Sequence, residues 1–188
     1  MARKCRYCRS EIPPKKESDR WQSAGFCNLD HMAEHGKAKA RQQKERAWRK
    51  EKAVRKERIK TKSDHAKEAQ QAFNAWVRER DADQPCISCG RHHQGQYHAG
   101  HYRSVGAAPE LRFEPMNVHK QCAPCNNHLS GNAIEYRIGL VEKIGKDAVE
   151  WLEGPHEPAR YTIEDLKEIK AKYRRKLREL KRNKNAGL

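Results

Sequence analysis

The sequence predicts a mostly helical α+β protein made of small metal-stapled units joined by solvated helices. Three observations lead there. Seven cysteines recur at knuckle spacing. Only 36% of the 188 residues are hydrophobic while 35% are charged, too little apolar material for one large core. Long stretches between the cysteines lack Gly and Pro and are rich in helix-forming Ala, Lys, Arg, Gln and Glu. The formal charge of +16, from 41 Lys and Arg against 25 Asp and Glu, implies a polyanionic partner, nucleic acid before a membrane surface. No apolar run approaches the roughly 20 residues needed to span a bilayer. The start, MARKCRYCRS, is basic without the apolar segment of a signal peptide. Reduced, metal-holding thiolates in the cytoplasm of a cell are therefore expected.

Taken in order, the chain divides into residues 1–36, 37–62, 63–154 and 155–188. The first segment carries Cys5-x2-Cys8 and, after 18 intervening residues, Cys27-x3-His31. Three thiolates and one imidazole complete a tetrahedral zinc set, with His35 as the alternative fourth ligand. Pro13-Pro14 and the polar run to Arg20 read as a loop, covered by Trp21 and Phe26. Residues 33 to 62 hold 13 Lys or Arg against four Glu, and no Pro, so they predict a long basic helix. An excess of one sign along a helix is suited to phosphate contact, with Lys44, Arg49, Lys50, Arg55 and Arg58 as the candidate residues. Ala66, Ala69, Phe73, Trp76 and Val77 fall at helical spacing in the next segment, with Ser63 placed to cap, and predict a core-packed helix ending before Pro85.

The centre runs from Cys86 to Asn132. Cys86-x2-Cys89 returns after 32 intervening residues as Cys122-x2-Cys125, the arrangement a four-cysteine zinc site requires. A strand is expected at Tyr97-His98-Ala99-Gly100-His101-Tyr102. Beyond Asn132, Ile134, Ile138, Val141 and Ile144 predict a helix packed on the hairpin, and Ala148 to Leu152 a shorter one. At the end, Thr162 and Asp165 form a capping box, followed by an amphipathic stripe of Ile163, Leu166, Ile169, Tyr173, Leu177 and Leu180. That stripe suits either the chain's own core or docking of a second copy.

A purely structural zinc knuckle needs neither His101 in a glycine-flanked strand nor Asn126 directly after the last cysteine. In these residues the chain resembles the HNH, or ββα-metal, endonucleases, especially the zinc-stapled branch containing the phage junction resolvase endonuclease VII. The order GHYRS, LRF, NVHKQC-x2-CN and SGN is similar to the Rap (NinG) recombination nucleases of lambdoid phages, and the likeness covers nearly the whole chain. The resemblance implies a ββα-metal core, metal-dependent cleavage of branched DNA such as Holliday junctions and D-loops during phage recombination, and a setting in the bacterial host cytoplasm. It implies His101 as general base, Asn126 as a ligand of a catalytic Mg²⁺ or Mn²⁺, and Asn117 as the brace of the hairpin loop. His119 is expected at the phosphate or the metal, His98 and His128 as further ligand candidates, and Arg103 and Arg112 as phosphate clamps. Symmetric cutting of a junction would favour a homodimer. One departure stands out: many members of the wider class place an acid or a histidine directly before the base, and here that residue is Gly100. Cleavage of ordinary duplex, or zinc-dependent DNA binding without catalysis, are the alternatives.

Overall fold

A computed structural model of the chain describes residues 3–12 and 20–187, apart from the side chains of Arg20 and Trp21. The loop expected over 13–19 and the cover expected from Trp21 lie outside that description. The chain forms two compact units, Met1–Ile59 and Lys60–Leu188, so the finger and the basic helix fall in the first and everything else in the second.

In the first unit the Cys5 knuckle is closed by Cys5 N–H donating to the Ser10 carbonyl and Arg9 N–H donating to the Cys5 carbonyl. A single turn of helix, α1 (Arg20–Ser23), precedes Cys27. Helix α2 then runs from Leu29 to Arg58, starting four residues before the basic run. Its start is set by Asn28, whose side chain accepts the His31 N–H at 2.7 Å, satisfying one of the donors a helix leaves open at its first turn. None of its residues is buried, and Trp48 and Val54 are more than half exposed. Helix propensity and three i,i+3 or i,i+4 ion pairs, Lys37–Glu34, Arg49–Glu45 and Arg55–Glu51, support it without a core.

The second unit opens with α3 (Lys62–Arg80). Thr61, not Ser63, caps it, in a reciprocal box with Asp64: the cap must stand outside the first helical residue, and Ser63 is already inside. The buried face of α3 is Ala69, Ala72, Phe73, Trp76 and Val77. Against it packs α6 (Ile163–Ala186), capped by Thr162 and Asp165 as expected. Tyr173 stacks edge-on against Phe73 with centroids 4.7 Å apart and lies 5.0 Å from Trp76, and Glu68 bridges Lys60 and Lys170. The stripe of α6 is therefore used within its own unit, because α3 offers an aromatic surface that buries it.

Strands β1 (Tyr97–His101) and β2 (Val118–Cys122) form an antiparallel pair with His98 opposite Gln121 and Gly100 opposite His119. Two 3₁₀ turns, Pro109–Phe113 and Pro115–Asn117, fill the connection. One face of the pair, with Ala99 and Val118, joins the α3–α6 core. The other meets α4 (Ala133–Ile144), which with α5 (Lys146–Glu153) builds a second apolar cluster around Tyr136, Leu140, Val149 and Leu152. The register of α4 differs from the expected one: Ile134 and Ile138 are 77% and 53% exposed, while Tyr136 and Leu140 are buried. The reason is Tyr136, whose hydroxyl donates to the Gly100 carbonyl at 2.9 Å and accepts the His119 N–H at 3.1 Å, locking that face of the helix onto both strands. Close approach continues at Gly139, where a Cβ would lie 2.1 Å from the Ile87 carbonyl oxygen of the first knuckle.

Candidate functional site

Each cysteine cluster gathers four ligand atoms within 4.8 Å of one another, Cys5, Cys8, Cys27 and His31 in one, Cys86, Cys89, Cys122 and Cys125 in the other. Sulfurs on a tetrahedral zinc with bonds of about 2.3 Å stand roughly 3.8 Å apart. The Cys8–Cys27 and Cys89–Cys122 separations of 3.7 and 4.0 Å fit that spacing. Both clusters could hold zinc. His31 takes the fourth position because the first turn of α2 aims it at Cys27 (2.8 Å), whereas the His35 ring stacks near Phe26 at 5.1 Å. At the second cluster Cys122 N–H donates to the Cys86 sulfur at 3.3 Å, a bond that favours thiolate.

His101 ends β1. Its Nε2 lies 3.0 Å from the Arg112 carbonyl, an acceptor only, so Nε2 carries the proton and Nδ1 is the free lone pair. No group among the described residues hydrogen-bonds Nδ1. Burial holds the imidazole below its ordinary value, with the Arg112 carbonyl pulling the other way, so the ring is neutral near pH 7. Arg112 thus contributes through its backbone. Its guanidinium is occupied by the Gln70 side chain at 2.8 Å and by the Phe113 ring, while Arg103 reaches the Glu153 carbonyl at 3.5 Å.

Asn117 is fully buried. Its Oδ1 accepts the Arg103 N–H at 2.7 Å and its Nδ2 donates to the Arg103 and Leu111 carbonyls at 3.0 and 3.1 Å. It clamps the loop between the strands, and its backbone carbonyl accepts the Tyr102 N–H at 2.8 Å beside His101. His119 departs from its expected place at a phosphate or metal: it is 3% exposed, its Nε2 donates to the Met116 carbonyl at 3.0 Å, and its Nδ1 accepts from Arg80 at 3.1 Å. The Asp81 oxygen at 3.6 Å from Nδ1 is the longer contact. Burial keeps this imidazole neutral too.

Sequence reasoning missed Asp81, the buried hub behind His119. Arg80 grips it with two hydrogen bonds of 2.9 and 2.7 Å, Lys143 of α4 lies 3.2 Å away, and the Lys120 N–H donates to it at 3.1 Å. Burial pushes the carboxyl up, but the Arg80 guanidinium and the Lys143 ammonium outweigh that and hold it well below the usual carboxylate range.

After Cys125 the chain does not enter a regular helix. Residues Pro124–His128 form one wide turn, closed by Leu129 N–H on the Pro124 carbonyl, and Ser130, Gly131 and Asn132 all take positive φ before α4 begins. Pro124 has no N–H and the left-handed run stops helical hydrogen bonding, so the knuckle and α4 are separate pieces. The turn leaves Asn126 half-buried and His128 exposed. Asn126 Oδ1 lies 3.0 Å from where a Cβ on Gly100 would stand. His98 is half-buried on the same strand face as Gly100, with its Nε2 buried and unpartnered. Lys44, Arg49, Lys50, Arg55 and Arg58 are exposed along α2.

Two Cys/His clusters that could hold zinc, on a mostly helical scaffold with a half-buried neutral imidazole at the end of a two-stranded sheet, define the class of protein. The family model described as bacteriophage lambda NinG protein matches residues 1–184, and the chain belongs to the NinG family. It is 41% identical to Protein ninG of Escherichia phage 933W over 97% of this chain and 96% of that protein. It is 50% identical to Protein ninG of Escherichia phage lambda over 70% and 65% of the two chains, and 52% identical to that of Salmonella phage P22 over 68% and 63%. No solved structure matches. Among the described residues no helix is long and apolar enough to cross a membrane.

Proposed function

We propose that the protein is a metal-dependent endonuclease of the HNH, or ββα-metal, class that cuts branched DNA such as Holliday junctions and D-loops in phage recombination. The observation that carries the reading is His101, a neutral imidazole fixed through Nε2 by the Arg112 carbonyl with Nδ1 open. Nδ1 takes a proton from water, and the Arg112 carbonyl stabilises the imidazolium that results. His101 and Gly100 are successive residues at one strand end and so face opposite pleats. Asn126 Oδ1 lies against Gly100, the residue beside His101, so the base and the candidate metal ligand meet at one strand end. A hard divalent cation, Mg²⁺ or Mn²⁺, supplies positive charge to the phosphate and the leaving oxygen. Asn126 would hold it, with His98 on the same face. The exposed basic helix α2 supports DNA as the partner. The branched substrate rests on the family resemblance.

The test is incubation of labelled four-way junction and matched duplex with wild-type protein and His101→Ala, in Mg²⁺, Mn²⁺ and EDTA. Cuts confined to the junction, dependent on metal and absent in the variant are expected. Tight binding without cuts in either metal would leave a zinc-dependent DNA-binding protein, and equal cutting of duplex a nuclease without junction preference.

A further inference from the structure

Gly100 is closely roofed. A Cβ there would stand 2.2 Å from Gln121 Oε1, 3.0 Å from Asn126 Oδ1 and 3.1 Å from Gln121 Cβ, so two amide oxygens converge over this one residue and only glycine leaves them room. Gln121 is fully buried in β2. Its Nε2 donates to the Gly131 carbonyl at 2.6 Å and to Ser88 Oγ at 2.7 Å. Because the Gly131 carbonyl can only accept, the amide cannot be turned round: the nitrogen faces the wide turn and the oxygen faces Gly100. That oxygen is buried with no hydrogen-bond partner. An acceptor left in this state costs about 1–3 kcal/mol unless something meets it. Directly across the ladder from Gln121 is His98, whose Nε2 is likewise buried and unpartnered. Opposed residues of an antiparallel pair project to the same face, so these orphaned atoms share it with the cradle.

We infer that Gln121 is a ligand of the divalent cation, supplying from β2 the oxygen that an acid at position 100 would otherwise supply from β1. Gly100 is then the clearance the Gln121 oxygen needs, and it takes nothing away from the metal site. The inference rests on the reading that Asn126 carries a cation, and it adds the second protein oxygen. Amide oxygens are hard, neutral donors of the kind Mg²⁺ and Mn²⁺ accept, and a site without a carboxylate leaves coordination positions for water and a substrate phosphate.

The experiment is NMR on the ¹⁵N-labelled, zinc-loaded full chain, titrated with Mg²⁺ for shifts and with traces of Mn²⁺ for paramagnetic broadening. Broadening centred on the Gly100 amide and the Gln121 and Asn126 side-chain amides is expected. Gln121→Met, which keeps volume and removes the oxygen, should raise the Mg²⁺ dissociation constant by about tenfold or more. Gly100→Ala leaves Gln121 present but drives its oxygen aside and should do the same, which keeps the test open if Gln121→Met does not fold. His101→Ala should retain the broadening. Broadening that spares Gly100, or that survives both Gln121→Met and Gly100→Ala, would overturn the inference. Metal-dependent cutting without broadening at Gly100 would sink it and leave the nuclease standing. Broadening there without any cutting would do the reverse.

Discussion

At the scale of single residues, burial and neighbouring charges set the charge states of His101 and Asp81. His101 is held below its ordinary value near 6.5 by burial. On the proposed role as general base its proton-free form would act, so the rate of junction cleavage should be flat from pH 8 to 7 and fall with a midpoint below about 6.5. A midpoint at or above 7 would place the base elsewhere. Asp81 is 3% exposed and neutralises Arg80 and Lys143. Asp81→Asn leaves those cations facing a neutral amide, which should cost about 3 kcal/mol in urea unfolding at pH 7. The sign of the pH dependence follows from its depressed folded value. The charge contributes fully above the unfolded value of about 3.9, and the contribution fades as pH falls through and below it, so wild type and variant should converge there. Variants of equal stability at pH 7 would show that Asp81 is a bystander. The members of the two Cys/His clusters were legible because their spacing marks them, whereas the roles given to His101 and Asn117 came from the family resemblance. Asp81 and Gln121 were not, since each acts through partners far off in sequence that only folding assembles.

Elements were legible where periodicity or capping chemistry decides them. Helices α3 and α6 follow their apolar stripes, and the Thr162–Asp165 box sits where the sequence puts it. Helix α4 shows the limit: its isoleucines have good helical spacing, yet one hydroxyl bridging β1 and β2 chose Tyr136 as the inward residue. The turn after Cys125 was also beyond sequence reading, because a wide turn arises from Pro124 acting together with the left-handed residues at 130–132. Helix α2 makes a different kind of statement, having a basic face and no buried residue. On the proposed reading its role is electrostatic. Reversing Lys50, Lys52, Arg55 and Arg58 together should weaken junction binding and reduce the slope of log K against log salt by roughly 0.9 for each phosphate no longer neutralised. The Mg²⁺ dependence of cutting at saturating protein should stay the same. An unaltered salt slope would remove α2 from the DNA surface.

For the molecule as a whole, each of the two units takes all four ligands of its cluster from its own residues. The units should therefore lose metal separately. In the second unit the cysteines form a small cluster of their own, with Cys86, Cys122 and Cys125 buried and Tyr97 packed beside them. Cys122 is the last residue of β2, next to Gln121, and Cys125 anchors the turn that carries Asn126. Structural zinc binding contributes folding free energy on the order of 10 kcal/mol. Cys122→Ser should then leave one zinc per chain, abolish the cooperative melting of residues 60–188 and end cleavage. Cys27→Ser should also leave one zinc, but preserve that melting transition and the buried environment of His101. Zinc content, calorimetry and the His101 imidazole resonance would be read on the same samples. If Cys27→Ser erased the transition of residues 60–188 as well, the two units would fold as one, and their structural division would not extend to their stability.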